Sequence, residues 1–176
     1  MQIILSIFIA LMQPTTTLFD FTPSSSLASW YVVNDGVMGG LSEGTLELTS
    51  EGHGSFKGKV RLENYGGFTS IRCATGKIET PEGAIVRMRV KGDGKNYQFR
   101  VKHIARDYQS YITTFSTSGE WETIEIPLGK LYPSFRGRVL DMPNFNHSSL
   151  TEFTFLIANK KAETFELLID SVELVQ

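Results

Sequence analysis

Apolar and polar residues alternate in short stretches along most of the chain after residue 17. Between Ala84 and Val90, for example, every second residue is apolar, and Arg87 and Arg89 lie among the residues between them. A period of two places the apolar side chains on one face of a β-strand. Gly, Pro, Asn and Ser separate these stretches, and no stretch after residue 15 shows three turns of helical periodicity. The pattern therefore predicts a succession of short strands.

Ten or eleven such strands are predicted. They cover residues 18–21, 30–33, 45–48, 55–62, 68–73, 84–91, 97–102, 108–116, 121–128, 153–157 and 165–174. Many short strands separated by turn residues are typical of a two-layer sandwich, and we expect jelly-roll connections. The chain of 176 residues can bury a sizeable core, and no linker divides it. The predicted fold is thus all-β, a single antiparallel β-sandwich domain over residues 18–176.

Two connections are predicted to have particular shapes. Residues 92–95 contain Asp-Gly, a common hairpin turn, so we expect the strands on either side to pair with each other. That hairpin would gather Arg and Lys on one exposed face, and we therefore expect acidic residues near them. Residues 131–146 are predicted to be a long irregular loop that has a function or covers one end of the sandwich.

The N-terminus has a different composition. Residues 3–12 are apolar except for Ser6, and a proline and three threonines follow within five residues. This is the outline of a secretory signal peptide, although no Lys or Arg precedes the apolar run. The run is too short for a transmembrane helix, which needs about 20 apolar residues. We expect residues 1–17 to be a signal peptide of an exported or periplasmic protein. The alternative is an apolar segment docked on the domain of a cytoplasmic protein.

Charge and motifs argue against several functions. The net charge is -2, with 17 basic and 19 acidic residues and no Lys/Arg run, so we expect no nucleic-acid partner. The single Cys73 lies in an apolar alternating run and is predicted to be a buried hydrophobe. The three histidines lack metal-ligand spacing, and no nucleophile elbow, phosphate loop or dinucleotide motif occurs. We therefore predict no catalytic residues, no metal site and no cofactor.

A glycine-rich stretch follows the second predicted strand. Gly36, Gly39 and Gly40 come directly after Asn34 and Asp35, and such a composition disfavours both helix and strand interiors. We expect a fixed loop that folds back onto the core. The acidic residues in such glycine turns are expected to cap backbone groups more often than to act as general acids or bases.

Several glycines and aromatic residues occur in a characteristic order. They are Trp30, residues 33–40 with Ser42, residues 56–58 and 63–68, residues 92–95 with Tyr97 and Phe99, Trp121 with residues 126–128, residues 133–138, and Phe165, Leu167, Ile169 and Asp170. This order resembles the complex I intermediate-associated protein 30 family over nearly all of the chain from Leu18. The resemblance implies a galactose-binding-domain-like β-sandwich that helps to assemble or stabilise a larger complex, known best for respiratory complex I. Because the sequence offers no catalytic constellation, we predict that the chain is not an enzyme. The N-terminus lacks the Arg and Ser of a mitochondrial transit peptide, so the chain is most similar to a bacterial single-domain member.

Tyr and Trp are more numerous than a small core can use, so we expect some of them to line a binding surface. The favoured hypothesis is a patch for a protein partner, from a respiratory or other membrane-associated complex, because glycines allow close backbone approach and aromatic and Arg residues anchor interfaces. Its predicted residues are Asn34, Asp35, Gly36, Met38, Gly39, Gly40, Asn64, Gly66, Gly67, Phe68, Phe135, Arg136 and Arg138.

A carbohydrate-binding module of an exported protein is the alternative hypothesis. In that case the aromatic residues would form a concave sugar site together with Asp35, Asn64, Arg87 and Arg100. In a third interpretation the two glycine-rich loops only pack against each other.

Overall fold

Residues 14–176 are described by a computed structural model, in which two antiparallel β-sheets form a sandwich. The strands are β1 (Thr15–Asp20), β2 (Trp30–Asn34), β3 (Glu43–Leu48), β4 (Gly54–Val60), β5 (Thr69–Glu79), β6 (Ile85–Lys91), β7 (Asn96–Lys102), β8 (Ser110–Ser116), β9 (Trp121–Pro127), β10 (Tyr132–Phe135), β11 (Arg138–Val139), β12 (Ser149–Ile157) and β13 (Glu163–Val175). Three short 3-10 helices cover Asp35–Met38, Glu63–Tyr65 and Leu128–Lys130. The predicted all-β sandwich is confirmed.

The strands divide into a six-stranded and a seven-stranded sheet. In the six-stranded sheet the order is β3-β4-β13-β6-β9, and β1 pairs with the second half of β13. In the seven-stranded sheet the order is β11-β10-β8-β7-β12-β5-β2. Every pairing is antiparallel, and most neighbours are distant in sequence. The site geometry described below therefore depends on which strands the two sheets bring side by side.

The core lies between the sheets and consists of the apolar faces that the alternation predicts. Val86 and Met88 of the six-stranded sheet are completely buried, as are Phe99 and Phe153 of the seven-stranded sheet. Aromatic rings contact one another across this layer; the Tyr97 ring of one sheet and the Phe165 ring of the other, for example, have centroids 6.4 Å apart. Burial of this continuous apolar layer is the main favourable contribution to folding.

The predicted hairpin between β6 and β7 is wrong. Strand β6 pairs with β13 and β9, whereas β7 pairs with β12 and β8, so residues 92–95 carry the chain from one sheet to the other. This crossover lets the apolar faces of both strands meet in one core. Asp93 fixes the turn, because its carboxylate accepts hydrogen bonds from the Tyr97 hydroxyl at 2.8 Å and the Glu166 backbone N–H at 3.1 Å.

The acidic neighbours that the sequence predicts for the cations of β6 are confirmed. Arg87 pairs with Glu125 of β9, with 2.8 Å between Nε and Oε1. Arg89 approaches Asp170, with 3.5 Å between Nε and Oδ2. Asp170 lies at a register shift in β13, between Ile169 and Ser171.

Part of the segment predicted to be an irregular loop is a hairpin. Strands β10 and β11 pair through Phe135 and Arg138, and only Arg136 and Gly137 connect them. Both connecting residues have positive φ, 48° and 77°, which is the signature of a type I′ turn. The sequence signal was weak because the first turn position holds Arg instead of Asn or Gly.

The predicted signal peptide lies mostly outside the described residues. Residues 1–13 are not described, but Thr15, Thr16 and Thr17 belong to β1 and pair with Val175, Leu174 and Glu173. The sheet thus begins three residues before the predicted domain boundary at Leu18. Within residues 14–176, no helix is long and apolar enough to cross a membrane.

Candidate functional site

The two glycine-rich loops, residues 34–40 and 63–68, pack against each other around one carboxylate. Asp35 is 0% exposed. Its Oδ1 accepts a hydrogen bond from the backbone N–H of Ser42 at 2.9 Å, and its Oδ2 accepts those of Gly67 and Phe68 at 2.6 and 3.3 Å. We call this pair of loops the glycine clasp. The carboxylate holds together two segments that are far apart in the sequence.

The electrostatics of Asp35 follow from these contacts. Burial by itself would raise the pKa of Asp35, but the hydrogen bonds from Ser42, Gly67 and Phe68 outweigh it and hold the pKa below its ordinary value. The carboxylate is therefore ionised, and its oxygens are occupied by backbone donors. This geometry supports the backbone-capping interpretation of Asp35 and removes it from the predicted sugar site.

Two glycines are required by the position of that carboxylate. A Cβ on Gly40 would overlap with the side chain of Asp35, and a Cβ on Gly66 would lie 2.6 Å from Asp35 Oδ2. By contrast, nothing lies within 4 Å of a Cβ built on Gly36 or Gly39, although Gly39 needs its positive φ of 85°. The glycines at positions 40 and 66 thus serve the packing of the clasp itself.

The predicted residues of the first loop are partly buried. Asn34 is half-buried, and its Oδ1 accepts hydrogen bonds from the Thr69 hydroxyl and, at 3.2 Å, from the Gly44 backbone N–H. Gly36 and Gly39 are exposed. Met38 ends the 3-10 helix Asp35–Met38, and its side chain lies outside the described part of the chain.

The outer surface of the clasp carries an exposed aromatic residue in an unusual backbone conformation. Asn64 and Tyr65 both have positive φ, 56° and 59°, and Tyr65 is 96% exposed. Leu41 and Leu62 are also exposed, on neighbouring segments. These segments are joined by Ser42, whose hydroxyl donates to the Arg61 carbonyl at 3.1 Å and accepts from the Arg61 N–H at 2.9 Å. Tyr65 counts among the aromatic residues that we expected at a surface, but its backbone strain had no sequence signal beyond the neighbouring glycines.

The structure does not bring Phe135, Arg136 and Arg138 to the clasp. They lie on the hairpin of β10 and β11, and four strands separate β10 from β2 in the sheet. At about 4.8 Å per strand, the separation is roughly 24 Å. There the Phe135 ring contacts Tyr108, with centroids 5.3 Å apart, and the Arg136 guanidinium lies 5.2 Å from the centre of the Phe135 ring. The predicted binding residues therefore form two separate surfaces instead of one.

A third surface is the outer face of the seven-stranded sheet. Cys73, Phe153, Val101 and Tyr111 lie in the core, so the residues before or after them in each strand point away from it. Cross-strand pairing places six of these in one row across the sheet, which we call the cross-strand row: Tyr31, Arg72, Thr154, Arg100, Ile112 and Tyr132.

The cross-strand row contains Arg100 and two tyrosines, but none of the other polar residues of the predicted sugar site. Asp35 is enclosed in the clasp, Asn64 lies on the clasp surface, and Arg87 belongs to the other sheet. Tyr31 and Tyr132 belong to the surplus Tyr and Trp residues that were expected at a binding surface, whereas Arg72 was not predicted. Nothing local marks Arg72, because its neighbours in the row come from strands elsewhere in the sequence.

Polar contacts along the row connect it to the buried Glu152. The Tyr31 hydroxyl donates to Glu152 Oε2, and Arg72 Nη1 lies 4.0 Å from Glu152 Oε1. Burial and the carboxylate of Glu152 raise the pKa of Tyr31 to about 12. Arg100 donates from Nε and Nη2 to Gln98 Oε1 at 3.1 and 2.6 Å. Burial and the charge of Arg72 lower the pKa of Arg100 to about 10.

The histidines and the cysteine are placed in structural surroundings. His103 and His147 stack with ring centroids 4.2 Å apart, and His147 Nε2 is 2.7 Å from the Tyr111 hydroxyl. Among residues 14–176, no three His, Cys, Asp or Glu side chains gather as a metal site. Cys73 is buried as predicted, and burial raises the pKa of its thiol to about 11.

Carbohydrate-binding modules are among the solved structures with a similar fold. A family 11 carbohydrate-binding module from Clostridium thermocellum, in complex with a β-1,3-1,4-mixed-linked tetrasaccharide, superposes with a TM-score of 0.65 at 15% identity, over 94% of this chain and 97% of that one. A family 29 module variant superposes with a TM-score of 0.56 at 14% identity, over 93% of each chain. At this identity the likeness is one of fold, and it confirms the jelly-roll sandwich.

Sequence comparison gives the family. The complex I intermediate-associated protein 30 of Drosophila melanogaster mitochondria is 30% identical, over 91% of this chain and 62% of its own length. The protein of the same name from Mus musculus is 23% identical, over 92% of this chain and 56% of its own. The chain thus spans less than two thirds of either relative. The sequence model of the family described as complex I intermediate-associated protein 30 matches residues 19–169, which include both loops of the clasp. The chain belongs to the complex I intermediate-associated protein 30 family.

Proposed function

We propose that this chain is a non-catalytic binding domain that docks a protein partner during the assembly of a larger complex, and that the glycine clasp is the docking surface. The family supports the assembly role, since the relatives from fly and mouse are named for association with a complex I intermediate. The partner is then a component of a respiratory or other membrane-associated complex. The observation that carries the choice of surface is Tyr65, which is 96% exposed in a strained conformation.

The backbone conformation of the clasp favours a role in binding a partner over a role only as a connection between strands. A bulky residue in the left-handed region costs about 1–2 kcal/mol, and Tyr65 adopts it directly after Asn64, which tolerates the same region better. Such strain persists where the surroundings over-determine it, and it is concentrated at functional sites. The carboxylate of Asp35 provides that support, because it accepts hydrogen bonds from Gly67 and Phe68 in the same loop. The result is an aromatic side chain presented on a rigid base, which is how interface anchors lose little conformational entropy on binding.

Asp35 and Asp93, two acidic residues of the glycine turns, are engaged in hydrogen bonds within the fold, which supports a non-catalytic role for them. Asp35 accepts three backbone hydrogen bonds, and Asp93 accepts hydrogen bonds from Lys95, Tyr97 and Glu166. Hydrogen bonds to the ionised form lower the pKa of both groups against the effect of burial. A general acid or base near neutral pH needs the opposite shift.

The proposal is tested by affinity purification of the tagged full-length chain from its native cells after mild crosslinking. In the variant Tyr65→Asn, the ring is lost but the left-handed backbone is kept, because Asn tolerates positive φ. We expect a stoichiometric protein partner with the unaltered chain and its loss with Tyr65→Asn, while the melting temperature stays the same or rises. The matched control is Tyr108→Asn, an exposed aromatic residue at the opposite edge of the sheet.

Retention of the partner by Tyr65→Asn would refute the clasp as the docking surface. If the partner is retained by Tyr65→Asn but lost with Tyr108→Asn or with Arg136→Glu/Arg138→Glu, the β10–β11 hairpin is the docking surface instead. If the unaltered chain is recovered without any protein partner, the assembly role itself is contradicted.

Carbohydrate binding is a second candidate, and the cross-strand row is the observation that favours it. The row has Tyr31 at one end and Tyr132 at the other, with three polar side chains and Ile112 between them. Aromatic rings beside well-placed polar groups are the usual lining of a small-molecule site. Affinity electrophoresis in a gel containing mixed-linked β-glucan tests this function. We expect the polysaccharide to retard the unaltered chain and Tyr65→Asn equally, and to leave Tyr132→Ala unretarded. Equal mobility of the unaltered chain with and without the polysaccharide would contradict carbohydrate binding.

A further inference from the structure

The cross-strand row holds a guanidinium group without a counter-ion. Within the described residues, no carboxylate lies within 4.0 Å of Arg100, and its hydrogen bonds go to the neutral Gln98 at 3.1 and 2.6 Å. Burial of this group is reflected in its lowered pKa of about 10. Charged groups that are withdrawn from water are ordinarily paired, because desolvation is costly. Arg100 departs from this rule, because the fold of residues 14–176 provides no carboxylate to pair with its guanidinium group.

Arg72 is also incompletely satisfied. Its Nε is buried and has no hydrogen-bond partner among residues 14–176, and its Nη1 is 4.0 Å from Glu152 Oε1, which is a long contact. Glu152 in addition accepts a hydrogen bond from Tyr31. The carboxylate of Glu152 therefore faces one guanidinium group and one phenol. Arg72 and Arg100 carry two positive charges against the one negative charge of Glu152, so the centre of the face has an excess of positive charge. Beyond burial, the charge of Arg72 accordingly lowers the pKa of Arg100.

The two arginines are separated by one strand that carries a small side chain. Arg72 of β5 and Arg100 of β7 are both paired with Thr154 of β12, so their Cα atoms are about 10 Å apart. Thr154 itself is buried and carries the shortest side chain of the row. An anionic group lying over Thr154 would be approached from both sides by donors of the kind that bind carboxylates best.

We propose that Arg72 and Arg100 form a subsite for a carboxylate group, and that the ligand is an acidic saccharide. The inference rests on the second candidate function and specifies its ligand class. The sugar ring that carries the carboxylate lies over Thr154, and neighbouring rings extend along the row toward Tyr31 and Tyr132. Gln98, whose Oε1 accepts from Arg100, has its NH2 group to donate to a hydroxyl beside the charge.

The placement of the arginines favours a saccharide over an acidic peptide. They lie on β5 and β7, strands whose backbone groups on both edges already pair with neighbouring strands. A peptide that adds itself to a sheet needs an open edge, which is absent there. A ligand recognised through its rings and substituents can instead lie across the strands.

The test is isothermal titration calorimetry of the full-length chain with three probes. These are an oligogalacturonate, a neutral mixed-linked β-glucan tetrasaccharide and a Glu-rich peptide. We expect the oligogalacturonate to bind at least about tenfold more tightly than the neutral tetrasaccharide and to lose affinity as salt is added. Arg100→Gln should remove the preference. The control Lys59→Gln replaces an exposed cation of the six-stranded sheet and should change nothing.

A thermal melt of Arg100→Gln accompanies the binding test. Removing a cation that is buried without a counter-ion should leave the melting temperature unchanged or raise it, so a loss of binding reports the site and not unfolding. A lowered melting temperature with unchanged binding would assign Arg100 to stability and overturn the proposal.

The failures of the two hypotheses are distinguishable. Equal affinity for the acidic and the neutral oligosaccharide would overturn the carboxylate subsite and retain carbohydrate binding. No affinity for either would overturn both. Binding of the Glu-rich peptide alone would overturn the saccharide ligand and indicate an acidic segment of a protein in its place.

Discussion

The carboxylate of Asp35 accepts a hydrogen bond from the backbone N–H of Gly67 at 2.6 Å, joining two loops that lie 32 residues apart in the sequence. Asp35→Asn keeps the shape of the side chain but sets an NH2 group against backbone N–H donors. Loss of a charged acceptor in a buried site costs about 2–4 kcal/mol. We therefore expect urea unfolding of this variant to show that decrease in the free energy of unfolding.

The control for this measurement is Asp141→Asn, which changes an exposed acid in the same way. It should unfold at the same urea concentration as the unaltered chain. If Asp35→Asn were as stable as this control, the clasp would not depend on the carboxylate.

Gly40 and Gly36 provide a matched pair for the packing of the clasp. A Cβ on Gly40 would overlap with Asp35, whereas a Cβ on Gly36 has nothing within 4 Å. Gly40→Ala should lower the free energy of unfolding by about 1–3 kcal/mol, as overpacking does. Gly36→Ala should be neutral or stabilise by about 0.4–1 kcal/mol, because it restricts the unfolded chain. The same urea titration compares them, and equal effects would contradict the role assigned to Gly40.

Sequence patterning was sufficient for the all-β sandwich and most of its strands, and it left the packing of the two glycine-rich loops against each other as one of three interpretations. The alternation in β6 and β7 is a local property, so it predicted both strands and their buried faces correctly. The choice of sheet for each strand is not local. The Asp-Gly turn at residues 93–94 predicted a hairpin, but burial of both apolar faces required a crossover, and this larger contribution decided the topology.

The cross-strand row was not predictable from the sequence for the same reason. Tyr31 and Glu152 are 121 residues apart and meet only because β2 and β12 both pair with β5. Single polar residues in alternating strands look alike until their neighbours across the sheet are known. The clasp, by contrast, contains its own signal, since Asn34, Asp35 and the glycines are adjacent in the chain.

The stacked histidines make stability depend on pH. Burial and the nearby His103 lower the pKa of His147 below its ordinary value of 6.5, and Asp107 opposes this shift. The unfolded state therefore binds the proton more tightly. Stability is fully present above about pH 6.5 and is lost as the pH falls through the lower pKa of the folded state. We expect the melting temperature to fall over this window, and to fall less in His147→Gln.

The comparison needs melting curves at several pH values for both proteins. Because His147→Gln also loses the contact with the Tyr111 hydroxyl, its absolute melting temperature is not the readout. The readout is the difference between the two proteins in how the melting temperature depends on pH. Parallel curves for the two proteins would show that His147 does not contribute to the acid sensitivity.

The turn of the β10–β11 hairpin is strained at its first position. Arg136 has φ of 48°, and Gly137, with φ of 77°, completes a type I′ turn for which Asn-Gly is the preferred sequence. Arg136→Asn should raise the free energy of unfolding by about 0.5–1 kcal/mol, since Asn tolerates this conformation better than Arg does. Arg138→Asn, which removes the same charge from β11 two residues later, should be neutral or slightly destabilising. Thermal melts of the two variants decide the matter: a rise with Arg136→Asn alone locates the strain in the turn. An equal rise with both would attribute the gain to the loss of positive charge at this edge of the sheet.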